Sequence, residues 1–94
     1  MGKAVGMIET RGIGTTIEAT DIMLKSADVV ILQQNKTDPA LVTTFITGDV
    51  SAVYTAIEAG KGVAERTGAL IAYTVIPAAN DQTLRKLIDE MTTR

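Results

Sequence analysis

The sequence predicts an α/β domain of the α+β kind, with one antiparallel four-stranded sheet and two helices on a single face. Three observations carry this expectation. Apolar runs of strand length alternate with amphipathic segments in the order β-α-β-β-α-β. The chain has 94 residues, enough for one core and not for two. Hydrophobic residues make up 46% and charged residues 21%, an ordinary globular balance. A split β-α-β order with its middle strands joined as a hairpin is the ferredoxin-like architecture.

Residues 3–9, KAVGMIE, are a short apolar run and the first strand, which RGIG then breaks. Thr15 and Glu18 have capping-box spacing, in which a hydroxyl and a carboxylate satisfy free N–H groups at a helix start. Ile13, Ile17, Thr20, Leu24 and Ala27, with Met23 beside them, then recur at helical spacing to about Ser26. DVVILQQ (28–34) reads as a buried strand, and ALVTTFIT (40–47), rich in β-branched residues, as its hairpin partner.

Gly48-Asp49 opens a second helix with Val50, Val53, Ile57, Gly60 and Ala64 along one face. Gly68 stands where a helix C-terminal glycine belongs. Gly60 and Gly62 each cost that helix roughly 1 kcal/mol relative to Ala, so close packing of another backbone is expected there. LIAYTVIP (70–77) is the fourth strand, ended by Pro77. Asn80 and Asp81 can both cap a final short helix, about 80–92. Its apolar stripe is Leu84, Leu87, Ile88 and Met91, with Arg85, Asp89, Lys86 and Glu90 opposite. The stripe has either its own domain or a cargo partner to dock on. The expected organisation is one domain over residues 1–94, with a core at 3–77 and the C-terminal helix after it.

Composition narrows the function. Phe45, Tyr54 and Tyr73 are the only aromatics, so the core is filled by Ala, Val, Ile and Leu. A core this lean gives marginal stability, and association with further copies is one remedy. Without Cys or His, the chain has no thiolate, no disulfide and no imidazole ligand or base. A net charge of −2 forecasts no basic face for nucleic acid. The N-terminal MGKAVGMIET has no secretory signal pattern, Lys3 argues against lipidation of Gly2, and no apolar run reaches membrane-spanning length. A cytosolic protein is expected.

Catalytic signals are nearly empty. RGIGTT lacks the third glycine of a dinucleotide fingerprint, since Ile17 stands there, and the Gly-Lys-Ser/Thr of a phosphate loop. Glu18 and Asp21 share one helix side, but Asp21 is placed to pair with Lys25 as an exposed ion pair. Ser26 and Ser51 have only Lys, Tyr or carboxylates as activating bases. The expectation is no enzyme, no cofactor and no metal.

Several stretches in order, AVGMIETRG, IEATDIMLKSADV, LVTTFITGDVSAV and the strand ending VIP, resemble the hexameric shell proteins of bacterial microcompartments. The similarity runs without gaps from about Ala4 to Pro77. The resemblance implies a structural subunit that forms flat homo-hexamers, tiling with other shell proteins around carboxysomes or metabolosomes in the cytoplasm. It places the loop Lys36, Thr37, Asp38, Pro39 and Ala40 at the six-fold axis, lining a pore for small metabolites. It places Lys25 at the edge between hexamers, together with Ala78, Ala79 and Asn80.

Two departures stand out. The family's loop is rich in Gly and Ser and offers backbone N–H groups to anionic or polar metabolites, whereas Pro39 has none to offer. Asp38 either puts a ring of carboxylates at the axis, hostile to anions, or only caps its own turn and points away. After VIP the family carries Arg-Pro-His, the Arg reaching into the adjacent hexamer. Ala78, Ala79 and Asn80 lack those donors, which predicts weaker lateral assembly. A different class of reading is a ferredoxin-like regulatory domain that binds a metabolite between protomers, as dimers or tetramers. An enzyme using Asp or Lys with a bound metal is the remote third.

Overall fold

In a computed structural model, the described residues are 3–80 together with Gln82, Arg85, Lys86, Asp89 and Glu90. The elements are β1 (Lys3–Arg11), α1 (Ile13–Ser26), β2 (Val30–Asp38), β3 (Leu41–Gly48), α2 (Val50–Arg66) and β4 (Leu70–Ala79). The strands lie in the order β2-β3-β1-β4, every neighbouring pair antiparallel. This is the expected α+β architecture. The stripe residues Leu84, Leu87, Ile88 and Met91 of the expected C-terminal helix, and Asp81 as its cap, lie outside the described residues.

Alternation along β1 divides the sheet into two faces. Ala4, Gly6, Ile8 and Thr10 face the helices, while Val5, Met7 and Glu9 face away. The helix-side core joins Ala4 and Ile8 to Met23, Val29, Ile46, Val53, Ala56 and Ile57. Five threonines are buried as well: Thr10, Thr16, Thr43, Thr44 and Thr47. Each hydroxyl has a partner, as burial demands. Thr10 Oγ1 lies 2.7 Å from Thr16 Oγ1 and so ties β1 to α1. Thr16 donates to the Gly12 carbonyl, Thr47 to the Ala4 carbonyl and Thr43 to Glu9, and Thr44 accepts from Gln34.

α1 departs from expectation in two ways. It starts at Ile13 with Gly12 as its N-cap and no side-chain cap bond, so Thr15 and Glu18 form no capping box. Thr15 already lies within the helix. The buried side of α1 is Thr16, Ala19 and Met23, not the stripe Ile13, Ile17 and Leu24, which is exposed. Packing explains the rotation. The Thr10–Thr16 hydroxyl pair and the insertion of Met23 over Gly60 leave room for small residues plus one flexible side chain.

α2 follows expectation more closely, burying Val53, Ile57, Gly60 and Ala64, together with Ala56 and Val63. Val50 is exposed. The helix ends in a Schellman motif: Gly68 has φ 70° and donates to the Glu65 carbonyl, and Ala69 donates to that of Ala64. β4 runs through Pro77 to Ala79 rather than ending at the proline. It is an outer strand, where a missing N–H costs no ladder bond.

Candidate functional site

The KTDPA stretch is tighter than a five-residue loop. β2 continues through Lys36 and Thr37 to Asp38, which pairs with Leu41, leaving Pro39 and Ala40 as the connection. Asp38 Oδ1 accepts the Ala40 N–H at 2.8 Å, an Asx turn. Thr37 Oγ1 donates weakly to the Leu41 carbonyl at 3.4 Å. The Gly12 N–H donates to the Ala40 carbonyl, which fastens this turn to the start of α1. Lys36, Thr37, Asp38 and Pro39 are exposed, and Ala40 is half-buried.

The structure therefore brings together all five residues of the turn and leaves four of them, Lys36 to Pro39, facing solvent. It also removes backbone donors from the tip. Pro39 has no N–H, and that of Ala40 is occupied by the Asp38 carboxylate. Lys25 sits in the last turn of α1, 2.9 Å from Asp21 in the expected i,i+4 pair. Both side chains are more than half exposed, so the pair contributes only about 0.3–0.5 kcal/mol. Ala78 and Ala79 are the last residues of β4, and Asn80 follows them, exposed. Lys25 and Ala78–Asn80 belong to separate elements, away from the turn in sequence.

Two surfaces escaped sequence reasoning. The first runs along the outer side of α1, where Ile17 is 63% exposed and Ile13 and Leu24 are exposed as well. A groove of about 260 Å³ there is lined by Thr16, Ile17, Thr20, Asp21, Leu24 and Gln34. The Gln34 amide donates to Thr20 Oγ1 and Thr44 Oγ1, both at 3.0 Å, and fixes the groove floor. The second surface lies on the α2–β4 side, with Tyr54 47% and Tyr73 45% exposed beside Ile71. Its groove of about 520 Å³ is lined by Tyr54, Ile57, Glu58, Tyr73, Thr74 and Val75. Because β2 and β4 are the outermost strands, these apolar surfaces occupy opposite edges of one sheet. Helical spacing identifies Ile13, Ile17 and Leu24 as an apolar stripe but does not say that the stripe is left uncovered, which hid the first.

On the second edge, Lys61 Nζ stands 4.6 Å from the Tyr73 ring centroid. Hydrogen bonding with Tyr73, and then the carboxylate of Glu58, hold its ammonium above the ordinary lysine range. No group of three or more His, Cys, Asp or Glu able to hold a metal occurs among the described residues. No helix among them is long and apolar enough to cross a membrane.

Comparison with known proteins agrees with this geometry. A shell protein of bacterial microcompartments from Citrobacter freundii, PduA, is 44% identical over 75 residues, which is 80% of this chain and 81% of that protein. The shell protein EutM from Escherichia coli K12 is 43% identical over 75 residues, covering 80% of this chain and 77% of EutM. Among solved structures, a microcompartment protein from Desulfitobacterium hafniense DCB superposes with a TM-score of 0.80 at 32% identity. That match covers 87% of this chain and 44% of the other. The BMC domain model matches residues 4–79, from the second residue of β1 to the last of β4, and so the chain belongs to the BMC domain family.

Proposed function

We propose that this chain is a structural subunit of a bacterial microcompartment shell. Six copies close into a ring, with the turn Lys36–Ala40 lining a central pore for small metabolites. The observation that carries the ring is the pair of apolar edges. A surface on the α1–β2 side and another on the α2–β4 side cannot both be covered by a two-fold contact of one patch with itself. Each copy instead places one edge against the opposite edge of the next, a head-to-tail contact that closes when the rotation allows. The family membership and the shell-protein relatives favour six copies and the shell location in the cytoplasm. The ring does no chemistry of its own and takes no cofactor or metal.

At the axis, six copies of the turn present Asp38 and Pro39 where Gly and Ser would present N–H groups. Asp38 serves its own turn through Oδ1 and remains exposed. Of the two readings, the ring is the one proposed here: an exposed carboxylate that caps its own turn through one oxygen can still contribute to a negative ring. The pore is less open to anions than a donor-lined one. Lys25 and Ala78–Asn80 lie at the contact between rings, where the missing guanidinium weakens lateral tiling.

Electron microscopy of the purified protein tests the assembly. Isolated rings with six-fold symmetry at physiological salt support the proposal, and particles without a ring contradict it. Flux through reconstituted layers tests the pore. Asp38→Asn keeps the capping oxygen and removes the charge, so anion flux rises relative to wild type; an unchanged charge selectivity contradicts the role given to Asp38.

A further inference from the structure

The sheet face turned away from α1 and α2 holds an apolar cavity of about 290 Å³ whose walls come from β1, β3 and β4. Alternate residues of each strand share this face, so strand register sets the lining in rows. In the first row Val5 stands beside Ile76. In the second, Met7 lies between Phe45 and Thr74. In the third, Glu9 stands beside Thr43. Val5 is 2% and Phe45 9% exposed, with Met7 packed against them. The cavity is thus largely apolar over two rows and ends on one carboxylate.

That carboxylate lacks a cation. Glu9 is half-buried, and Thr43 Oγ1 donates to its Oε2 at 3.2 Å, a neutral and rather long bond. The ion pairs between described residues join Lys25 to Asp21 and Lys61 to Glu58, and neither involves Glu9. A carboxylate drawn partly out of water loses hydration, and a cation in contact offsets the loss. The chemical complement of Glu9 is therefore an ammonium group, whereas that of Val5, Met7, Phe45 and Ile76 is hydrocarbon. An apolar wall with one orienting polar group is the usual make-up of a small-molecule site.

Size narrows the class further. An apolar cavity of about 150 Å³ holds benzene, so this larger one takes an aromatic ring with a short arm. Phe45 and Met7 supply the ring-edge and thioether contacts that an aromatic ring favours. Met7 and Glu9 are two strand residues apart, about 7 Å along β1, a gap that a two-carbon arm between ring and nitrogen bridges.

We propose that this cavity binds a small aromatic primary amine in its ammonium form. The ring lies among Val5, Met7, Phe45 and Ile76, and the nitrogen donates to the Glu9 carboxylate. Thr43 positions that carboxylate through its hydroxyl. All of these residues belong to one copy, so the site does not depend on six-fold assembly.

Three probes of nearly equal shape test it on the full chain with methyl-labelled NMR: phenethylammonium, 2-phenylethanol and phenylacetate. The expected result is saturable shifts of the Met7 and Ile76 methyl signals. Phenethylammonium should bind roughly tenfold tighter than the alcohol, since its bond to Glu9 is charge-assisted, and phenylacetate weakest of the three. Equal affinity for all three, saturable shifts confined to other methyl groups, or no saturable binding of phenethylammonium overturns the proposal.

Glu9→Gln keeps an acceptor for Thr43 and removes the charge. It should weaken phenethylammonium about tenfold and leave 2-phenylethanol unchanged. An unchanged preference for the amine overturns the role of Glu9. Ile76→Phe, at a position 37% exposed, fills part of the cavity and leaves Glu9 in place. It should weaken the amine and the alcohol by similar factors, and wild-type affinity for both overturns the location.

Discussion

Met23 of α1 occupies the space that a side chain on Gly60 of α2 would need: a Cβ there would lie 2.8 Å from Met23 Cγ and 2.9 Å from its Sδ. This contact sets how closely the two helices approach, and Met23 is fully buried within it. Gly62, two residues on, meets only Arg66 at 3.9 Å. Two glycines with the same sequence reading therefore have opposite structural meaning.

Gly60→Ala and Gly62→Ala accordingly move stability in opposite directions. Overpacking of a filled core costs about 1–3 kcal/mol, against a helix-propensity gain of about 1 kcal/mol. Gly60→Ala should lose about 1 kcal/mol net, while Gly62→Ala should gain about 0.5–1 kcal/mol. Denaturant midpoints of the two variants check this, and a stabilised Gly60→Ala contradicts the packing described.

Ile17→Asp separates assembly from folding. The side chain is 63% exposed in the single chain, so the protomer should change by less than about 0.5 kcal/mol. In the proposed ring the next copy would cover this position, and a carboxylate there would be buried without a partner. Sedimentation should show smaller species with unchanged far-ultraviolet circular dichroism.

Pro39→Gly restores one N–H to the turn proposed to line the pore and loosens it. The loss of a fixed φ should cost about 0.4–1 kcal/mol. Anion flux through reconstituted layers should increase relative to wild type, and unchanged flux would remove Pro39 from the account of the pore.

Lys61 gives a pH dependence with a definite sign. Its folded pKa lies above the ordinary 10.5, owing first to Tyr73 and then to Glu58. The contribution is fully present below 10.5 and is lost as pH rises through the folded value. Tyr73→Phe should therefore be less stable than wild type at neutral pH by a small, constant margin that disappears in strong alkali. Thermal melts across that range read the difference. A margin that grows with alkalinity contradicts the assignment.

Much of the fold was legible because strand and helix periods are written locally. The two segments of α2 and β3 carry apolar residues at their proper spacing, and Gly68 announces its own cap. The rotation of α1 was not legible. Its apolar residues Ile13, Ile17 and Leu24 obey helical spacing as well as the buried set does, and only the contacts with Thr10 and Gly60 decide between them. The candidate site was half visible. Asp38-Pro39 reads as a turn from residue chemistry alone, whereas the bond from Ala40 to Asp38 and the tie to Gly12 are tertiary. The edge surfaces were hidden because exposure of Tyr54 and Tyr73 depends on strand order, which no local pattern records.

Native mass spectrometry of the purified chain tests the central claim most directly. The account predicts a dominant species of six times the 9.9 kDa chain mass, stable on dilution, that dissociates in the Ile17→Asp variant. A stable monomer or dimer across concentrations would contradict the ring and would return attention to a metabolite bound between two protomers.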